Sequence, residues 1–205
     1  MKNKIYRNFF TIRILIVLSL LFTAAFSEES AEELFNTALK YQKSGQLDQA
    51  EQYYKASLKL KSDVDAMYNM GILYEDKNNY TEAEKYFKMA YDAGLSKAAY
   101  KLGYVYSKLN KKDLSERYYL QSVTKDNNID AMYNLAVLYN SSSKKNDAIK
   151  YFKMAADKGD IDAAYNLGLL YDDAGNFDSA EYYYKKAADV NNSNINAMYN
   201  LAILY

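Results

Sequence analysis

The chain has 205 residues and sets 26 basic against 26 acidic side chains, with 24 Tyr and no His, Cys, Pro or Trp. That composition excludes disulfides, thiolate chemistry, imidazole bases and nearly every zinc or haem site, and it argues against turn-dense β folds and Pro-rich linkers. The length allows one domain, or two small ones, with a real core.

The first 27 residues read as an address. Lys2, Lys4, Arg7 and Arg13 precede a charge-free run from Ile14 to Ser27, and no acidic residue comes before Glu28. A basic start, an apolar stretch from Ile14 to Phe22 and the small-x-small end Ala25-Phe26-Ser27 predict a secretory signal over 1–27. The apolar stretch is short against the ~20 residues of a spanning helix; an uncleaved membrane anchor is the alternative. The expectation is an exported protein, periplasmic or secreted. With the four leader cations set aside, 22 basic residues face 26 acidic ones, a net of −4. No nucleic-acid partner is expected, because such a partner needs a basic face.

From Ala31 the sequence repeats. Asp65-Ala-Met-Tyr-Asn-Met-Gly-Ile-Leu-Tyr74, Asp130-Ala-Met-Tyr-Asn-Leu-Ala-Val-Leu-Tyr139 and Asp162-Ala-Ala-Tyr-Asn-Leu-Gly-Leu-Leu-Tyr171 are near copies. A small residue recurs as Ala38, Gly71, Gly103, Ala136, Gly168 and Ala202, at steps of 32 to 34, each with a Tyr three residues on. A second block follows in each unit: Ala50 and Tyr54, Ala83 and Phe87, Ser115 and Tyr119, Ala148 and Phe152, Ala180 and Tyr184. Self-similarity at this period predicts stacked units, here 31–63, 64–95, 96–128, 129–160, 161–194 and a partial 195–205.

Each unit reads as two helices. Met67, Met70, Gly71 and Tyr74, then Ala83, Tyr86, Phe87 and Ala90, follow the i, i+3, i+4, i+7 spacing of an apolar stripe. Ser30-x-x-Glu33 and Thr81-x-x-Glu84 predict capping boxes, and Asp113-x-x-Glu116 and Asp178-x-x-Glu181 resemble them. Gly45, Gly94, Gly159 and Gly175 stand where helices should stop. The small residue lets the neighbouring helix approach, and the large ring beside it fills the gap. One hairpin cannot bury its apolar faces alone, so stability should come from stacking.

This pattern resembles the tetratricopeptide repeat and shares features with the related Sel1-like repeat. It covers Ala31 to Tyr205, as five full units and one first helix. The aromatic that often opens the motif is replaced by Leu34, Met67, Ala99, Met132, Ala164 and Met198, and the closing proline is missing. Ala155-Ala156-Asp157-Lys158-Gly159 leans to the Sel1-like side, while the 32-to-34 step is short for it. The resemblance implies an all-α fold, a right-handed α–α superhelix or solenoid whose first helices line a concave groove.

Chemistry finds little footing. The carboxylate pairs Glu75-Asp76 and Asp172-Asp173 are available for acid–base work, but each follows a motif Tyr at a helix end and reads as loop-facing, solvated charge. Asp172-Asp173-Ala-Gly175-Asn-Phe-Asp178 lacks the regular ligand spacing of a calcium loop. Neither a phosphate loop nor a nucleophile elbow is present. No enzyme, cofactor or metal is expected; an envelope hydrolase built on the acidic pairs is the weak alternative.

Surface remains. Three before each small residue stands an aromatic: Phe35, Tyr68, Tyr100, Tyr133, Tyr165 and Tyr199. Next comes Asn36, Asn69, Asn134, Asn166 and Asn200, broken by Lys101. After the small residue stand Leu39, Ile72, Tyr104, Val137, Leu169 and Ile203. An amide ladder suits an extended peptide, since each Asn offers donors and an acceptor to a peptide backbone of any sequence. Tyr adds apolar area with a polar tip. Such a groove is similar to the Asn-lined one of the tetratricopeptide array in O-linked N-acetylglucosamine transferase. The same rows serve equally as packing between repeats, and both readings stand at this point.

The third unit breaks the pattern. Lys97, Lys101, Tyr104 and Lys108 share one helical face, and like charges four apart cost a helix ~0.2–0.5 kcal/mol per pair unless neutralised. Asp65, Asp130, Glu75 or Asp76 would neutralise them, or an acidic ligand would. Asn69, Lys97 and Lys101 match part of the carboxylate clamp of chaperone-binding tetratricopeptide domains, while Phe35 and Leu39 depart from it. At the far end Met198, Leu201, Leu204 and Tyr205 predict an open apolar face, covered by a continuing array or by another copy. The functional expectation is a non-catalytic scaffold holding a protein or peptide partner; the rival is a self-assembling structural spacer of the cell envelope.

Overall fold

The computed structural model describes residues 30–188 and 194–205, and the expected signal over 1–27 lies outside them. Among the described residues every element is an α-helix, and none is long and apolar enough to cross a membrane. The chain divides into two compact units, one ending at Ser62 and one beginning at Asp63.

The first unit is a single hairpin of α1 (Ala31–Lys43) and α2 (Leu47–Leu60). The expected capping box forms: Ser30 Oγ accepts from the Glu33 amide at 3.2 Å, and Glu33 accepts from the Ser30 amide at 2.8 Å. Ala38 and Tyr54 are both fully buried, and the Tyr54 hydroxyl donates to Gln42 Oε1 at 2.7 Å. Ser57 Oγ ties the hairpin ends together by donating to the Ala31 carbonyl at 2.7 Å.

The second unit runs α3 (Val64–Asp76), α4 (Tyr80–Asp92), α5 (Ala98–Lys108), α6 (Lys112–Asp126), α7 (Ile129–Ser141), α8 (Lys145–Asp157), α9 (Ile161–Asp173), α10 (Phe177–Ala188) and α11 (Ile195–Leu204). Helices pair as α3–α4, α5–α6, α7–α8 and α9–α10, and each second helix also packs on the next first helix. This is a solenoid of helical hairpins.

One packing rule repeats through it. A Cβ placed on Gly71, Gly103 or Gly168 would lie 2.5 Å from Cδ1 of Phe87, Tyr119 or Tyr184, so each ring sits against bare backbone of the partner helix. That close approach is why the small residue recurs. A second ring layer stacks beside it: Tyr74 on Tyr86, Tyr106 on Tyr118, Tyr139 on Tyr151 and Tyr171 on Tyr183, with centroids 5.4–5.7 Å apart.

Three expected caps are displaced. α4, α6 and α10 begin at Tyr80, Lys112 and Phe177, which puts Thr81, Asp113 and Asp178 inside the first turn. Asn79 and Asn176 cap instead, each accepting at 3.2 Å from the amides of Glu82 and Ser179, and Lys111 gives no side-chain cap. The cause is the turn before each helix. Asn78, Asn110 and Gly175 take positive φ, close the chain early and start the helix two residues sooner. The four expected turn glycines have positive φ, and Asn127 and Ser143 do the same work in other turns.

Neighbouring hairpins are also clasped by polar groups. The Tyr106 hydroxyl donates to Glu84 Oε1 at 3.1 Å, while Lys111 Nζ lies 2.8 Å from Glu84 Oε2 and 5.4 Å over the Tyr106 ring. One unit on, Tyr139 donates to Glu116 at 3.0 Å, with Lys144 at 3.4 Å from that carboxylate. Burial first, then the facing carboxylate, holds both phenols well above the ordinary tyrosine range. Ile149 occupies the corresponding place before Tyr171, so the clasp is not universal.

Candidate binding face

The first helices of the second unit share one register of exposed and half-buried side chains. Along α3 it reads Asp65, Asn69, Ile72, Asp76; along α5, Lys97, Lys101, Tyr104, Lys108; along α7, Asp130, Asn134, Val137, Ser141; along α9, Asp162, Asn166, Leu169, Asp173. Helical spacing of four, three and four puts each set on one side. Asp65, Lys97, Lys108, Asp130, Val137 and Asp162 are exposed, and the Asn and remaining apolar members are half-buried.

The amide row is tied down. Nδ2 of Asn69, Asn134 and Asn166 donates to the carbonyls of Asp65, Asp130 and Asp162 at 2.8–2.9 Å, one turn back on the same helix. The Asn134 and Asn166 amides also reach the hydroxyls of Tyr100 and Tyr133 in the preceding hairpin, and Asn200 lies 3.5 Å from the Tyr165 hydroxyl. Asn134 and Asn166 thus engage donors with two partners and Asn69 with one, and each keeps its carbonyl oxygen as a group on offer. Asn36 stands exposed on α1 of the first unit.

The aromatic row is half structural. Tyr68, Tyr100, Tyr133 and Tyr165 each lean on the core ring of their own hairpin, with centroids 5.5–6.2 Å apart. Tyr199, on α11, is 67% exposed. Amide and aromatic rows thus interlock from one hairpin to the next, a pairing across 33 to 35 residues that no local pattern shows.

Where Lys101 breaks the amide row, the bonding changes. Lys101 Nζ pairs with Glu75 Oε1 at 3.0 Å, both side chains about one-fifth exposed, and Glu75 Oε2 is buried with no partner. Glu75 therefore turns inward between helices; the expectation that it faces the loop as solvated charge is corrected. It faces both Tyr68 and Tyr100, whose hydroxyls are raised above their ordinary range by burial first and by this carboxylate among the lesser causes. Internal neutralisation thus accounts for Lys101. Lys97 instead lies 4.5 Å over the Tyr68 ring, and Lys108 lies 5.1 Å over Tyr104. With Lys101 committed to Glu75, the carboxylate-clamp match has one fewer open cation.

The second acidic pair is divided too: Asp172 Oδ2 accepts from the Tyr184 hydroxyl at 3.2 Å, burial first and then the Asp172 charge push that phenol up to about 12, and Asp173 is exposed. Among the described residues no group of three or more metal-ligating side chains comes together.

Known proteins share this architecture. Residues 35–96, 96–128 and 161–194 match family models described as tetratricopeptide repeat, and residues 129–160 match a Sel1 repeat model. No curated protein matches. Among solved structures, YrrB, described as a TPR protein with an unusual peptide-binding site, is 28% identical with a TM-score of 0.66, over 87% of this chain and 96% of its own. MamA is 26% identical at a TM-score of 0.66, over 74% and 92% respectively. PilF of Pseudomonas aeruginosa, 14% identical at a TM-score of 0.70 over 85% and 86%, shares the fold. The chain belongs to the tetratricopeptide repeat family, an interaction-module fold, and its residues 129–160 have Sel1 character.

Proposed function

We propose that the protein is a non-catalytic scaffold, exported through its basic-apolar leader, that holds an extended peptide or partner segment along the first-helix face of α3, α5, α7 and α9. The observation that carries this reading is the register itself: amide side chains of Asn69, Asn134 and Asn166 alternate with apolar Ile72, Val137 and Leu169 on a half-exposed face of the first helices. Backbone-seeking acceptors beside apolar contact are what an extended segment needs. YrrB, with its peptide-binding site, supports the same use of this fold.

Selection of random 12-residue peptides on the purified protein, followed by fluorescence anisotropy, tests the proposal. Val137→Arg and Leu169→Arg should each weaken the selected peptides ~10-fold or more at unchanged helicity. Full binding by both variants would remove the face from the account. A self-assembling spacer is the second reading, favoured by the exposed Ile195, Tyr199 and Ile203 of α11; a monodisperse monomer in light scattering would end it.

A further inference from the structure

The register on the binding face carries charge in an order that packing does not explain. α5 presents cations at both ends of the row, Lys97 and Lys108. The next two first helices present acids at the place equivalent to Lys97, Asp130 and Asp162, and α9 adds Asp173 at the place equivalent to Lys108. On the other side of α5, α3 presents Asp65. With Asp76 on α3 at the place equivalent to Lys108, the face is basic along α5 and acidic along the first helices on both sides of it.

Among the described residues, the charges of Lys97, Asp130 and Asp162 are not joined to one another, and Lys101 is the one of the three cations that meets a carboxylate, Glu75. The Lys97 ammonium leans back over Tyr68 of the preceding hairpin, and among the described residues no ion pair links it to Asp130 on the following one. A ring contact leaves the positive charge intact. On the acidic side, Asp160 caps α9 by accepting from the Ala163 amide at 2.7 Å, and its carboxyl is held above the ordinary range by burial first, with Asp162 and Asp130 adding repulsion. Carboxylates from two adjacent hairpins thus crowd at one edge of the face. Opposite charges one helix apart, each unspent, are complementary to a partner that brings the reverse order.

We propose that the segment held on this face is bipolar, with an acidic side chain set against Lys97 on α5 and a basic side chain set against Asp130 or Asp162 on α7 and α9. The inference rests on the peptide-holding reading and names the partner's chemistry. An extended chain advances about 3.3 Å per residue, so charges three residues apart reach across roughly 10 Å and charges six apart across roughly 20 Å; the shorter reach is offered to α7 and the longer to α9.

Fluorescein-labelled 12-residue peptides in one Ala/Gln/Leu host test this by anisotropy at low salt. The set carries a Glu and a Lys three or six residues apart in both orders, two Glu, two Lys, or no charge. The expected result is one bipolar peptide binding ~10-fold more tightly than the like-charged and uncharged hosts, with the advantage reduced to ~3-fold or less in Lys97→Gln. In the charge-swapped variant Lys97→Glu/Asp130→Lys/Asp162→Lys the preference should pass to the opposite order. If all hosts bind alike, and still lose binding in Val137→Arg, the bipolar partner is wrong and the peptide reading stands. If the tightest host carries two like charges, the proposal is overturned in the same way. If neither these hosts nor library-selected peptides depend on Val137, the peptide reading falls and takes the inference with it.

Discussion

The hairpins α5–α6 and α7–α8 are built on one plan inside and on two plans outside. Inside, Tyr119 lies against Gly103, Phe152 and Ala136 are buried in one core, and Tyr106 stacks on Tyr118 as Tyr139 stacks on Tyr151. Outside, the row Asp130, Asn134, Val137 becomes Lys97, Lys101, Tyr104. Duplication with a fixed step explains the likeness, because a unit that must bury its faces on its neighbours cannot change its core alone. The departure on the exposed face is free of that constraint, and that is where a partner can be distinguished.

The comparison breaks most readily at the ring. Tyr119→Ala should cost about 3–5 kcal/mol in urea denaturation, and Phe152→Ala a similar amount, since each removes a fully buried ring from the same place. A much smaller loss at either position would mean the two cores are not equivalent.

A smaller effect tests the difference between the two faces. Lys101→Asn restores the amide row but strands Glu75, whose buried Oε2 already lacks a partner, and should cost about 2 kcal/mol. Adding Glu75→Gln should recover most of it. Equal stability of the single and double variants would show that the ion pair is not what Lys101 is there for.

Smaller again is Ser122→Ala. Ser122 Oγ is buried without a hydrogen-bond partner, whereas Ala155 fills the corresponding place in α8, so the change should stabilise by about 1 kcal/mol. The smallest effect concerns Asp160, whose place at the start of α9 is held by Asn128 at the start of α7. Its folded carboxyl titrates higher than the unfolded one, so the native state loses stability as pH rises through that folded value. Asp160→Asn keeps the cap and should gain a few tenths of a kcal/mol, roughly, at pH 7, with the gain vanishing below about pH 4.

The solenoid was legible because its determinants are local and periodic. The step of 32 to 34, the small residue and the ring sixteen residues later are visible along the chain, and the ring does lie on the small residue. Helix starts were less legible: a Thr or Asp three before a Glu looks like a cap, and only the positive φ of Asn78 and Asn110 shows that the helix has already begun. The face was half legible. Its residue types were readable, but the inward turn of Glu75 to Lys101 and the interlocking of Asn134 with Tyr100 join residues 26 and 34 positions apart, in different hairpins. The clasps of Glu84 and Glu116 belong to the same class.

The most direct test of the central claim is amide NMR of the 15N-labelled protein titrated with a library-selected peptide. Peptide held on the first-helix face should shift the amides of Asn69, Tyr104, Asn134, Val137, Asn166 and Leu169 and leave the exposed sides of α4, α6 and α8 in place. Shifts concentrated on those second helices instead would contradict the account.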